Sequence, residues 1–148
     1  MRQARELGYK GLFVKNSGAA VQEIVATAGA AGAEGVISLH FADPGSDGYK
    51  RLATEFKKKY NQMPDDLIVV YYDGAAALLQ AIAKGGDVND TTKASAAFFG
   101  KVFPMKSIQG GELSLGGKGK PGDENQILTV SYISVIKNGN AVMVGSVK

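Results

Sequence analysis

Ala28-Gly29-Ala30-Ala31-Gly32-Ala33-Glu34-Gly35-Val36-Ile37-Ser38-Leu39-His40-Phe41 carries the reading that decides the fold. Ala28 closes a helix expected over 19–28, whose Val21, Ile24, Val25 and Ala28 share one face at helical spacing. Gly29 ends it. Residues 35–41 form a short apolar run with a β-branched start, the pattern of a buried strand. The small residues between them read as a close-packed turn from helix to strand. They do not read as a nucleotide loop: there is no Gly-x-Gly start, and the order is helix then strand, the reverse of what phosphate binding needs. Upstream, Gly11-Leu12-Phe13-Val14-Lys15 is a second apolar run bounded by Gly and Asn. Strand, helix and strand in succession point to an α/β fold.

Working outward, residues 2–7 read as a helix end with Gly8 just past it. Asp43-Pro44-Gly45 breaks the strand, and Ser46 is the expected N-cap of a helix to about residue 61. Tyr49, Leu52, Ala53, Phe56 and Tyr60 give it an apolar face. Lys57-Lys58-Lys59 lies at its C-terminal end, where cations complement the helix dipole. Asp65 and Asp66 cap a long helix over 67–83, closed by Gly85-Gly86. Thr91 opens a shorter helix to about 100. Short strands follow at 106–109 and 112–115, then a polar, Gly-rich loop over 116–125. A strand is expected over 127–137, and Asn138-Gly139 turns it into a hairpin with 141–147.

Composition excludes several functions. The 148 residues carry 17 basic and 14 acidic side chains, a net charge of +3, with lysines spread along the chain. That does not make a nucleic-acid surface. No apolar run approaches the length of a membrane span. There is no cysteine, hence no disulfide and no thiolate chemistry. His40 is the one histidine, a poor start for a metal site. No Gly-x-Ser-x-Gly motif occurs, so no serine triad is indicated. Gly116-Gly117-Lys118-Gly119-Lys120 matches a phosphate loop in composition only. The start of the chain has no apolar signal segment and reads as the interior of a helix.

Across nearly the whole chain, the order of motifs resembles the type I periplasmic solute-binding proteins of the branched-chain amino acid ABC transporter family, in their C-terminal portion. The matching stretches are Arg2-Gln3-Ala4-Arg5-Glu6-Leu7-Gly8-Tyr9, the Ala28-Gly29 and Ala33-Glu34-Gly35-Val36 segments, and Phe56 to Tyr60 with Pro64. Tyr72-Asp73-Gly74-Ala75 with Leu78, Leu79 and Ala81, and the Lys137-Asn138-Gly139 hairpin, complete the set. The resemblance implies pieces of two α/β lobes and a C-terminal β-hairpin. Residues 1–42 would belong to the second lobe, 43–110 to the first, and 111–148 to crossover and return strands of the second.

It further implies a non-enzymatic, extracytoplasmic solute-binding component of an ABC importer, without cofactor or metal. Its location would be periplasmic or extracellular, with the signal peptide in a missing N-terminal part. Its partners would be a small-molecule solute, the membrane subunits of the transporter, and the missing portion as a separate chain or a second copy; nucleic acid is not among them. A ligand-sensing domain of a receptor or regulator with the same fold is the alternative, and a small flavodoxin-like enzyme a third.

The resemblance places a ligand-contacting loop after the strand Leu12–Val14, at Asn16, Ser17 and Gly18. Relatives often carry there an acid that pairs with the ligand's ammonium. Here that position is Ser17, which supplies no full charge. A buried ammonium would be poorly compensated. A carboxylate or aromatic acid is therefore expected rather than an α-amino acid, with Lys15 near enough to help an anion. Leu67, Tyr71 and Tyr72 are further candidates, although core packing is the expected role for at least one tyrosine. His40 and Phe41 end a strand near the interlobe crossover or cleft. The bland readings are a simple turn at 16–18, core aromatics, and a solvated helix end at 57–59.

Overall fold

A computed structural model describes residues 1–16, 21–116 and 125–147. The chain divides into two compact units, Met1–Ala42 with Ser131–Val147, and Asp43–Val130.

The first unit is built on a four-stranded sheet in the order β1 (Val14–Lys15), β2 (Ile37–His40), β6 (Ser131–Lys137), β7 (Asn140–Val147). β1 and β2 are parallel, and β6 and β7 follow antiparallel. The helix α2 (Val21–Ala28) supplies the crossover between the parallel strands. Its Val21, Ile24 and Ala28 meet Ala33, Val36 and Ile136 in the core. The small-residue turn after it contains a further short helix, α3 (Ala30–Ala33). Gly29 enters that helix at φ 75°, a left-handed conformation that glycine adopts without strain. The helix α1 (Arg2–Glu6) ends at Leu7, with Gly8 in the left-handed region. The hairpin turn has φ 52° at Asn138 and 76° at Gly139, the conformation that selects Asn-Gly in two-residue hairpins.

Val36, Ser38 and His40 alternate with Ile37 and Leu39, and the first set faces the helices. Val14, Val142 and Val147 remain substantially exposed.

The second unit holds α4 (Asp47–Tyr60), α5 (Asp66–Ala83), α6 (Thr91–Ala97), a π-helix over Phe98–Val102, and a sheet in the order β3 (Met105–Lys106), β4 (Glu112–Leu115), β5 (Ile127–Leu128). Ser46 accepts a hydrogen bond from the Tyr49 amide at 3.1 Å, and Asp65 accepts from the Leu67 and Ile68 amides at 3.0 Å each. Both are side-chain caps that satisfy otherwise orphan helix donors. Asn61 closes α4 in the left-handed conformation. The unit's core joins Ala77 and Ala81 of α5 to Ala97, Val102, Met105 and Leu113.

Three expectations change. The strand foreseen over 127–137 divides at 129–130: β5 pairs with β4 in the second unit, and β6 pairs with β2 in the first. The helix foreseen from Thr91 to about 100 becomes a π-helix in its last turn. And α5, by length and composition alone, is long and apolar enough to cross a membrane. It is nonetheless tied to protein on one side: its Asp73, mid-helix and buried, accepts from the Ser107 hydroxyl at 2.5 Å and the Ile108 amide at 2.7 Å.

Candidate functional site

In a parallel α/β sheet the strands' C-terminal ends share one edge, and ligands bind outside that edge. Val14 pairs with Ile37 and Lys15 with Ser38, so β1 and β2 finish together. The edge therefore gathers Lys15 and Asn16 from β1 with His40 and Phe41 from β2. Ser17 and Gly18 follow β1 directly but lie outside the described residues. β6 runs the opposite way and begins here, with Tyr132 opposite His40.

The polar chemistry continues inward from this edge. Ser38 and Ser134 are register partners, and both are 0% exposed. His40 Nε2 shares a 2.7 Å hydrogen bond with Ser134 Oγ. The Ser38 hydroxyl has no hydrogen-bond partner among the described residues. One face of the sheet thus carries Ser38, Ser134, His40 and Tyr132 beside the apolar pair Val36 and Ile136. A Ser–His contact invites comparison with a hydrolase dyad. Ser134 is wholly enclosed, however, so its oxygen cannot meet a substrate. The contact ties two strands together.

Sequence reasoning missed Tyr132, Ser38 and Ser134. Strand alternation through His40 would have put Ser38 on the same face. Their partners on β6 depend on register and could not be read locally.

Leu67, Tyr71 and Tyr72 belong to the second unit, on the first turns of α5. All three are exposed, with Tyr71 at 69% and Tyr72 at 47%. Among the described residues, neither tyrosine packs into the core. Val69 and Asp73, set at the intervening angle of the helix, take the inward positions. Near the same helix start, Tyr49 donates to the Pro64 carbonyl at 3.0 Å. Burial first, and then the carboxylates of Asp66 and Asp65, push its phenol pKa above the ordinary value of 10.0. Among the described residues, no group of three or more His, Cys, Asp or Glu side chains could hold a metal ion.

The chain matches the periplasmic binding protein family over residues 1–129 and belongs to it. Its fold is that of the type I members serving branched-chain amino acid ABC transporters. A leucine-binding protein of Thermotoga maritima superposes with a TM-score of 0.74 at 23% identity, over 99% of this chain and 40% of that one. A branched-chain amino acid substrate-binding protein of Streptococcus pneumoniae, in complex with isoleucine, gives 0.69 at 20% identity, over 97% and 40%. An ABC-transporter solute-binding protein of R. palustris, in complex with benzoate, gives 0.59 at 22% identity, over 82% and 32%. These relatives are solute-binding proteins, not enzymes. The chain spans about two fifths of the length of the first two. No curated protein sequence is significantly similar to it.

Proposed function

We propose that this chain is part of the extracytoplasmic solute-binding component of an ABC importer, acting in the periplasm or outside the cell. Residues 1–42 would contribute to one lobe of a two-lobed clamp, 43–110 to the other, and 111–148 to crossover and return strands of the first. The solute would meet Lys15, Asn16, Ser17, Gly18, His40 and Phe41, with Leu67, Tyr71 and Tyr72 as further candidate contacts. Contacts from both lobes would favour the closed state by differential affinity, and transporter membrane subunits would read that state. The remaining polypeptide, carrying the signal peptide, would complete both lobes.

The solute we infer is a carboxylate or an aromatic acid rather than an α-amino acid. One observation carries this: in sequence, the segments 15–18 and 40–42 carry an ammonium, an imidazole and hydroxyl and amide groups, but no carboxylate. An α-ammonium group entering a desolvated site there would lack its counter-charge, whereas an anionic head would find Lys15. The relative crystallised with benzoate supports this choice, since the fold accommodates an aromatic carboxylate.

Calorimetric titration of the chain assembled with the polypeptide that completes the clamp tests the reading. Benzoate or a related aromatic acid should bind at micromolar concentration and leucine should not. Micromolar leucine binding refutes it.

A further inference from the structure

Resting on the two-lobed clamp proposed above, we propose that Gln109 is a positioning residue for closure: it fixes the point where the chain enters the second unit, so that bending is confined to 41–42 on one crossing and 129–130 on the other. The chain passes between the units at two places, after Ala42 and after Val130. At the first, the Asp43 amide donates to Gln109 Oε1 at 2.8 Å. Gln109 is itself buried.

What lies behind Gln109 is stiff. Residues 107–111 form a tight turn, with Gly110 at φ 94°. The Gly111 carbonyl accepts from the Ser107 amide at 2.8 Å, and the Ser107 carbonyl accepts from the Gly110 amide at 3.0 Å. The buried Asp73 carboxylate seats this turn on α5 by accepting from the Ser107 hydroxyl and the Ile108 amide. Bonds to a charged acceptor are the stronger kind. The Ser107 hydroxyl oxygen also accepts from the Gln109 amide at 3.3 Å. Beyond Asp43 the chain is held as well. The Asp43 carbonyl accepts from the Ser46 amide, and its carboxylate accepts from the Gly45 amide.

On the near side of the first crossing, β2 is held as far as His40 by its pairing with Tyr132. Phe41 and Ala42 are what remains between two fixed points. The second crossing has the same form. Leu128 pairs with Ser114 and Ser131 with Val147, which leaves Thr129 and Val130. A Cβ on Gly111 would stand 3.7 Å from Val130 Cγ2, so this segment passes the same turn. Hinges are a few element-terminal residues that absorb changes in φ and ψ. Freeing Asp43 lengthens the first hinge into 43–45, and the units then sample a wider range of arrangements. A residue that merely satisfied a buried amide would change stability and leave that range as it was.

The chain has no cysteine. Lys58→Cys in α4 combined with Lys137→Cys at the hairpin, both at exposed positions, therefore places one spin label on each unit. In the solute-free chain, Gln109→Met should widen the spread of label-to-label distances at least twofold and speed exchange of the Asp43 amide at least tenfold. Exchange of the Val69 and Ile136 amides should match the parent and show that both units fold. Gln109→Asn, one methylene too short for the bond, should act likewise and serves if the methionine variant does not fold. Gln22→Met, at an exposed position of α2, should change neither reading. An unchanged distance spread in a folded variant overturns the proposal, whatever the loss in urea midpoint, as does an Asp43 amide that stays protected. Neither solute nor transporter enters the measurement, so leucine binding would defeat the solute assignment and leave this result standing.

Discussion

His40 Nε2 and Ser134 Oγ stand 2.7 Å apart although 94 positions separate them in the chain. This side-chain bond reinforces the backbone pairing between the strand that leaves the first unit and the strand that returns to it. Ser134→Ala should therefore destabilise the protein by about 1 kcal/mol, the net worth of a typical buried hydrogen bond. Ser38→Ala is the matched contrast. Its hydroxyl is enclosed without a partner among the described residues, so its removal should be neutral or stabilising by up to about 1 kcal/mol. Urea midpoints of the two variants, measured side by side, check the pair; equal losses would contradict the geometry.

Asp73 anchors α5 to the 107–108 segment through a hydroxyl and an amide. Asp73→Ala leaves both donors unpaired in a buried place. The expected loss is about 3 kcal/mol, near the upper range for bonds to a charged acceptor. Asp73→Asn, which keeps an acceptor oxygen, should lose less. Denaturant melts that rank the two variants the other way would count against this anchor.

Gly48 lies in the first turn of α4, and a methyl at that position would overlap the Ile108 carbonyl oxygen. The obstacle is backbone, which cannot swing aside as a side chain could. Gly48→Ala should cost about 2 kcal/mol or more through overpacking, despite alanine's better helix propensity. A thermal melt with an unchanged midpoint would show that the two segments are not in this contact.

Tyr49 sets an alkaline limit. Its phenol is neutral and half-buried in the fold, and burial ahead of the Asp66 and Asp65 carboxylates raises its pKa. The unfolded chain therefore gives up this proton at lower pH than the folded one. The stabilisation is complete below pH ~10, the ordinary tyrosine value, and is lost as pH rises through the folded-state pKa. Tyr49→Phe should flatten the fall in melting temperature above pH ~10. A slope identical to the parent's would remove Tyr49 from the account.

Local chemistry was legible in the sequence. Ser46 and Asp65 cap helices because their side chains bond amides two or three residues away, and Asn138-Gly139 turns because both residues accept positive φ. Long-range pairing was not legible. Residues 127–137 look like one strand because nothing within them reveals that Leu128 pairs with Ser114 while Ile133 pairs with Leu39. The candidate edge was half visible for the same reason. Lys15, Asn16, His40 and Phe41 follow apolar runs, but Tyr132 and Ser134 join them only through β6.

The first unit is discontinuous in the chain, its two parts separated by the whole of Asp43–Val130. During synthesis β2 leaves the ribosome long before β6 exists to pair with it. The inserted segment is synthesised in full before the second part of the first unit appears. The closing of the first sheet becomes a late, non-local event, slow by its contact order. Until then the edge of β2 stands open to any other strand, which makes the nascent chain most exposed to mispairing in the interval before Ser131–Val147 emerges.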